Sequence, residues 1–156
     1  MTNAVLESII EFQKAVQTES LRTWRRWMNL PKVPHIAREV KIATTPHDVV
    51  YEEDSLKLLR YRNEHTIDFN EPVLICFALV NRPYILDLQP PRSVVRQLLK
   101  RGFDVYLVDW GVPTAADRTL RLEDYVCGFI KNVARFVCEH SDSPKLNLLG
   151  YCMGGT

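Results

Sequence analysis

Hydrophobic positions along the chain predict two amphipathic helices. Residues 1 to about 30 carry apolar side chains at helical spacing, and Pro31 and Pro34 end this helix. A second stripe begins at Leu122 and predicts another amphipathic helix. The first stripe indicates packing on the chain's own core or, alternatively, a docking face for a partner subunit or an apolar surface. Its members are Val5, Leu6, Ile9, Phe12, Val16, Leu21, Trp24, Trp27 and Met28.

Shorter apolar runs predict five strands. These are residues 48–51, Leu56–Tyr61, 73–80, 103–110 and 146–149. The run 73–80 is the most apolar, which suits a strand buried on both faces. A helix that ends at Gly102 separates the third and fourth strands, and its apolar positions are Val94, Val95, Leu98 and Leu99. The alternation of strands and helices with short connections predicts a parallel sheet with right-handed crossovers.

The composition is that of a globular protein. The chain has 46% apolar and 25% charged residues, which argues against disorder. Its 20 basic and 19 acidic residues give a net charge of +1, which offers no support for nucleic-acid binding. The sequence contains no run of about 18 apolar residues, so it predicts no transmembrane helix. Glu7, Glu11 and Lys14 make the N-terminus unlike a secretory signal peptide.

The four cysteines show neither a C-x-x-C pair nor a histidine at metal-ligand spacing, so we predict no metal site. Cys76 lies in an apolar run. Cys127 and Cys138 return to nearly the same face of the second amphipathic helix, among apolar neighbours. We expect these three side chains to be buried, reduced thiols, which favours a cytoplasmic location.

The fourth cysteine, Cys152, stands between Gly150 and Gly154. This G-x-nucleophile-x-G pattern after a strand is typical of the nucleophile elbow of the α/β-hydrolase fold, with cysteine replacing the usual serine. A side chain at either glycine would collide with the neighbouring strand or with the following helix. The positive end of that helix dipole lies near the sulfur and favours the thiolate form of the cysteine. The pentapeptide alone is equally consistent with a buried cysteine in a glycine-rich turn. The alternating elements before it favour the elbow, and hence the N-terminal half of an α/β-hydrolase fold.

Four phrases of the sequence, in this order and spacing, resemble the poly(3-hydroxyalkanoate) synthases. They are ALVNRPYILDL at 78–88, RGFDVY at 101–106, DWG at 109–111 and LGYCMGGT at 149–156. The resemblance runs from about residue 45 to the end. The segment before it is short, and in this respect the chain resembles the two-subunit synthases of class III or IV. We therefore predict an N-terminal helical segment over 1–44 and a partial catalytic domain over 45–156.

The resemblance implies an acyltransferase that polymerises (R)-3-hydroxyacyl-CoA thioesters and releases CoA. Cys152 would carry the acyl group. By the general geometry of the fold, the backbone amide of Met153 and a second amide, from Val80 or Asn81, would hold the oxyanion. A purely structural role for the loop that contains Val80 and Asn81 is equally consistent with the sequence. The resemblance implies no cofactor. It implies a second synthase subunit, a homo-oligomer, and a cytoplasmic location at the surface of storage granules.

In the poly(3-hydroxyalkanoate) synthases, a histidine that acts as general base and an aspartate that assists it both follow the elbow. This sequence ends at Thr156, before those positions. We assign neither role to any residue upstream of Cys152. We therefore expect a truncated gene product or a partial sequence, inactive by itself. The alternatives are a cysteine hydrolase of the same fold and a non-catalytic remnant. The histidines left unassigned are His35, His47, His65 and His140.

Overall fold

The computed structural model describes residues 14, 17–25, 28 and 41–156. Residues 14, 17–25 and 28 are helical, as predicted, and the rest of the predicted N-terminal helix lies outside the described residues. Residues 41–156 form a compact unit. The domain boundary between residues 44 and 45 stays a prediction.

The compact unit is built on one sheet of five strands in the order β1-β2-β4-β3-β5. β1 and β2 form an antiparallel hairpin, and β2 pairs antiparallel with β4. β3 pairs parallel with both β4 and β5. The sheet with flanking helices confirms the predicted α/β fold class. β3, β4 and β5 are parallel as predicted, whereas the antiparallel pairing of β2 with β1 and with β4 was not predicted. The strands are β1 His47–Glu53, β2 Leu56–Tyr61, β3 Val73–Cys76, β4 Val105–Asp109 and β5 Asn147–Gly150.

Two helices form the crossovers of the parallel strands. Helix α1, Val94–Lys100, joins β3 to β4 and begins where the Ser93 hydroxyl accepts a hydrogen bond from the Arg96 amide. Helix α2, Ile130–His140, joins β4 to β5 and continues a π-helical segment, Asp124–Phe129. Short 3-10 segments occur at Pro83–Leu86, Pro90–Arg92, Ala115–Thr119 and Cys152–Gly155. Among the described helices, none is both long and apolar enough to cross a membrane.

The core lies on both faces of the sheet. Ile75 and Leu107 pack with α1 on one face, whereas Leu74 and Tyr106 pack with α2 on the other. Because successive strand residues point to opposite faces, covering both faces requires an uninterrupted apolar run. This explains why β3 and β4 carry the most apolar stretches of the sequence.

Two expectations from the sequence are wrong. The strand predicted over 73–80 ends at Cys76, because the pairing of β3 with β5 stops where Cys76 meets Gly150. Cys127 is exposed and Cys138 is half-buried, and only Cys76 of the three is buried as expected. The reason is the π-helical segment that contains Cys127, whose wider turn breaks the α-helical spacing that would align residues 127 and 138.

Candidate functional site

The candidate site is the turn that follows β5. Cys152 begins a single 3-10 turn, Cys152–Gly155, and has a positive φ of 56°. This left-handed conformation is strained for a residue with a Cβ atom. The Cys152 side chain is exposed. The backbone thus has the sharp strand-to-turn geometry that an elbow requires, at an exposed cysteine.

Backbone atoms exclude a side chain at both flanking glycines. A Cβ atom on Gly154 would overlap the carbonyl oxygen of Cys76 and approach that of Phe77 to 3.0 Å. A Cβ atom on Gly150 would meet the carbonyl oxygen of Gly154 at 2.5 Å. Neither neighbour can swing aside as a flexible side chain could. The turn can therefore lie this close to the sheet only with glycine at both positions.

Tyr151 connects the elbow to the end of β3. Its amide donates a hydrogen bond of 3.0 Å to the Cys76 carbonyl, and its ring stacks on Phe77 at a centroid distance of 5.3 Å. The Gly154 amide donates to the Tyr151 carbonyl at 3.0 Å and closes the turn. Cys76 itself is buried, and this burial raises the pKa of its thiol. Of these two cysteines, Cys152 is the one accessible to a substrate.

The loop that follows β3 contains the two residues predicted as alternative donors to an oxyanion. Val80 is 82% exposed, and Asn81 is also exposed. Because β3 and β5 are parallel, this loop and the elbow follow strands at the same edge of the sheet. Arg82 fixes the loop by donating to the Gly111 carbonyl at 3.3 Å. The assignment of the Met153 amide and of Val80 or Asn81 stays a prediction.

A buried carboxylate anchors the far end of that loop. Asp87 is fully buried and accepts hydrogen bonds from the amide of Thr45 at 2.8 Å and from its hydroxyl at 2.7 Å. The Ser93 hydroxyl, which caps α1, donates to the same carboxylate at 2.5 Å. The motifs in the sequence do not reveal this network, because Asp87 and Thr45 are 42 residues apart.

An apolar cavity of about 410 Å³ borders the elbow. Met153 and Gly154 line it from the turn, and Leu148 lines it from β5 with 58% of its surface exposed. Leu122 and Val126 line it from the segment that leads into α2, and both are exposed. The elbow therefore lies beside an apolar surface that the described residues leave open.

His47 and His140 do not lie at the edge of the sheet that carries the elbow. His47 begins β1, opposite the end of β2, and its ring donates to the Thr45 carbonyl at 3.1 Å. His140 ends α2, before β5 begins, and stacks on Phe136 at 5.2 Å. Both therefore lie at the edge opposite Cys152. In the part of the chain that the structure describes, no group of three or more side chains suits a metal ion.

Comparisons with protein families agree with this geometry. Residues 71–156 match the family model described as the alpha/beta hydrolase fold. The chain belongs to the α/β-hydrolase fold family. Residues 35–98 match the model described as the N-terminus of poly-beta-hydroxybutyrate polymerase (PhaC), which confirms the resemblance to polyhydroxyalkanoate synthases.

Curated relatives carry the name poly(3-hydroxyalkanoate) polymerase subunit PhaC. The chain is 53% identical over 118 residues to that of Haloferax mediterranei, which covers 76% of the chain and 24% of the relative. It is 48% identical to the Synechocystis sp. relative, and this match covers 76% of the chain and 31% of the relative. It is 42% identical to the Thiocystis violacea relative, and this match covers 76% of the chain and 34% of the relative. The chain thus spans about a quarter to a third of the length of these relatives.

Proposed function

We propose that this chain is the nucleophile-bearing N-terminal part of an acyltransferase that polymerises (R)-3-hydroxyacyl-CoA thioesters into polyhydroxyalkanoate. The observation that carries the proposal is the strained, exposed Cys152, held between two glycines that allow no Cβ atom. It occurs in a chain whose relatives are named poly(3-hydroxyalkanoate) polymerase subunits.

In the proposed reaction, the Cys152 thiolate attacks the carbonyl carbon of the acyl-CoA thioester. The bond from that carbon to the CoA sulfur breaks, CoA leaves as a thiolate and takes up a proton, and the acyl group becomes a thioester of Cys152. The hydroxyl of another acyl unit then attacks this thioester and loses its proton to a base. An oxygen ester forms, and the Cys152 thiolate is released. Exchange of one thioester for another keeps the acyl group activated, which an ester of serine would not do.

Two backbone amides would stabilise the tetrahedral oxyanion. The first is the amide of Met153, directly after the nucleophile, and the second comes from Val80 or Asn81. The positions of the loop and the elbow after parallel neighbouring strands support this pairing. Loss of one such donor costs about 3–4 kcal/mol of transition-state stabilisation in related sites.

Neither His47 nor His140 is placed to accept this proton. His47 and His140 begin β1 and end α2, at the edge of the sheet opposite Cys152. We propose that a histidine and an assisting aspartate follow the elbow in the longer protein, and that residues 1–156 alone are inactive. No cofactor takes part in this reaction. The relatives' designation as subunits supports a partner synthase subunit. We further propose that the enzyme forms homo-oligomers and acts at the surface of cytoplasmic polyester granules.

The test supplies the missing part in trans. The chain is co-expressed with the portion of the Haloferax mediterranei relative that follows its matched region and with the other synthase subunit of that organism, and CoA release from 3-hydroxybutyryl-CoA is measured. We expect release with polymer formation from the pair and none from the chain alone. Cys152→Ala abolishes release, whereas Cys127→Ala, which removes another exposed thiol, preserves it.

Each other outcome contradicts the proposal in a different way. Release of CoA with free 3-hydroxybutyrate as the product would indicate a hydrolase of the same fold. Release that persists in Cys152→Ala would exclude Cys152 as the acyl carrier. A folded, co-purifying pair without any release would indicate a non-catalytic remnant.

A further inference from the structure

Trp110 forms a hydrogen bond that links the ends of two neighbouring parallel strands. Its indole Nε1 donates to the carbonyl oxygen of Phe77 at 2.8 Å, across 33 residues of sequence. Trp110 directly follows β4, and Phe77 directly follows β3. The bond therefore fixes the first peptide group after β3, where the sheet ends and the loop to Val80 begins.

Phe77 in turn contacts the elbow on both sides of Cys152. Its ring stacks on Tyr151, the residue before Cys152, with the two planes 8° apart. Its carbonyl oxygen, which the indole holds, lies 3.0 Å from the position that a Cβ atom of Gly154 would take. A shift of the Phe77 peptide group would therefore disturb the turn before and after the sulfur.

The indole ring is itself held in place by aromatic contacts. Trp110 packs edge-on against Tyr125 at 5.4 Å, and Tyr125 packs against Phe129 at 5.5 Å. Both partners belong to the π-helical segment that leads into α2. A half-buried ring with these neighbours presents its N–H in one fixed direction, which a solvated donor would not do.

We propose that Trp110 is a positioning residue for the nucleophile elbow, acting through the Phe77 peptide group. The indole N–H holds the Phe77 carbonyl. The Phe77 ring packs on Tyr151 before Cys152, and the Phe77 carbonyl oxygen lies beside Gly154 after it. The catalytic consequence rests on the proposed function of Cys152, whereas the mechanical link does not.

The mechanical link is tested on the 156-residue chain by backbone amide hydrogen exchange. Trp110→Phe keeps an aromatic ring and removes the N–H donor. Loss of one hydrogen bond shifts a local opening equilibrium by about one order of magnitude. We therefore expect the amide exchange rates of Tyr151 and Gly154 to rise about five- to tenfold more than the rate of Val133, a buried residue of α2. The control Leu120→Ala, which removes packing from the same apolar cluster, raises all three rates by the same factor. A uniform rise in Trp110→Phe would overturn the proposal.

A second measurement applies even if Trp110→Phe does not fold. In the unaltered chain, we expect the indole N–H of Trp110 to exchange slowly with solvent and in step with the Tyr151 amide. Exchange at the rate of a free indole would overturn the proposal without any variant.

The catalytic consequence is measured in the complemented enzyme described above. Trp110→Phe lowers kcat for CoA release about tenfold and leaves KM unchanged, because a displaced elbow affects the reacting atoms more than substrate binding. Leu120→Ala leaves both parameters unchanged. An unaltered kcat in Trp110→Phe would overturn the positioning role. Absence of release from the unaltered pair would refute the proposed function alone, since the exchange result stands independently.

Discussion

The carbonyl oxygen of Cys76 occupies the space that a Cβ atom on Gly154 would need. The same oxygen accepts a hydrogen bond from the Tyr151 amide, on the other side of Cys152. One backbone oxygen at the end of β3 therefore fixes how closely the elbow packs against the sheet. The register between β3 and β5, in which Cys76 pairs with Gly150, thus determines where the thiol is presented.

The first prediction concerns the smallest possible side chain at this contact. Gly154→Ala must push the turn away from β3, because the obstructing atoms belong to the backbone of a central strand. We expect the free energy of unfolding to fall by about 2–3 kcal/mol, as for an overpacked core position. Urea unfolding monitored by circular dichroism gives this value.

Gly128→Ala provides the matched control. Gly128 lies in the π-helical segment, and a Cβ atom there would meet nothing within 4 Å. Since glycine costs a helix conformational entropy, this substitution should raise the free energy of unfolding by about 0.5–1 kcal/mol. Equal effects of the two alanines would contradict the proposed contact between Gly154 and Cys76.

The second prediction concerns the strain at the nucleophile itself. Cys152 has a φ of 56°, a conformation that glycine adopts freely and residues with a Cβ atom do not. Cys152→Gly and Cys152→Ala both remove the thiol, so their difference in stability isolates the backbone term. We expect Cys152→Gly to be more stable by about 1 kcal/mol in urea unfolding. If Cys152→Ala is as stable as Cys152→Gly, the elbow is not strained.

The parts of the fold that could be predicted from the sequence are those encoded by neighbouring residues. The strands β1, β2 and β4 and helix α1 follow from local apolar spacing, and the glycines around Cys152 follow from the sterics of one turn. The antiparallel pairing of β2 with β1 and with β4 did not follow from that spacing. The end of β3 could not be predicted in this way. Residues 77 and 78 are as apolar and as buried as β3 itself, and the strand stops there because its pairing with β4 ends at Ile75 and its pairing with β5 ends at Cys76.

The long-range contacts of the site were equally hidden from the sequence. The bond from Trp110 to Phe77 and the bonds from Thr45 to Asp87 join residues 33 and 42 positions apart. No periodicity relates such positions. The exposure of Cys127 was mispredicted for a local reason, because a π-helical segment has no sequence signature comparable to α-helical spacing.

The third prediction concerns the anchor of the loop after β3. Asp87 accepts three hydrogen bonds in full burial, two from Thr45 and one from Ser93. Asp87→Asn replaces one acceptor oxygen with a donor that faces other donors. We expect a loss of about 2–3 kcal/mol in the free energy of unfolding, measured with urea.

Asp48→Asn is the control for Asp87→Asn. Asp48 pairs with Arg62 at an exposed position, where solvent screens the interaction. This substitution should leave the unfolding midpoint nearly unchanged. Comparable midpoints for the two asparagine variants would show that the Asp87 network does not anchor the loop.

The last prediction concerns pH. The Asp117 carboxylate accepts hydrogen bonds from the amide of Thr114 at 2.6 Å and from its hydroxyl at 2.9 Å, and it caps the 3-10 segment Ala115–Thr119. The backbone hydrogen bond from Thr114 is the main reason that the pKa of Asp117 lies below its ordinary value of 3.8.

The direction of the pH effect follows from that lowered pKa. Since the folded state binds the proton less tightly than the unfolded state, the cap's contribution to stability is fully present above pH 3.8. It is lost as the pH falls through the lower pKa of the folded state. In NMR spectra, the Thr114 amide resonance should therefore shift with a midpoint below 3.8 and stay unshifted over the same range in Asp117→Asn. A midpoint at or above 3.8, or the same titration in the variant, would show that Asp117 does not form this cap in solution.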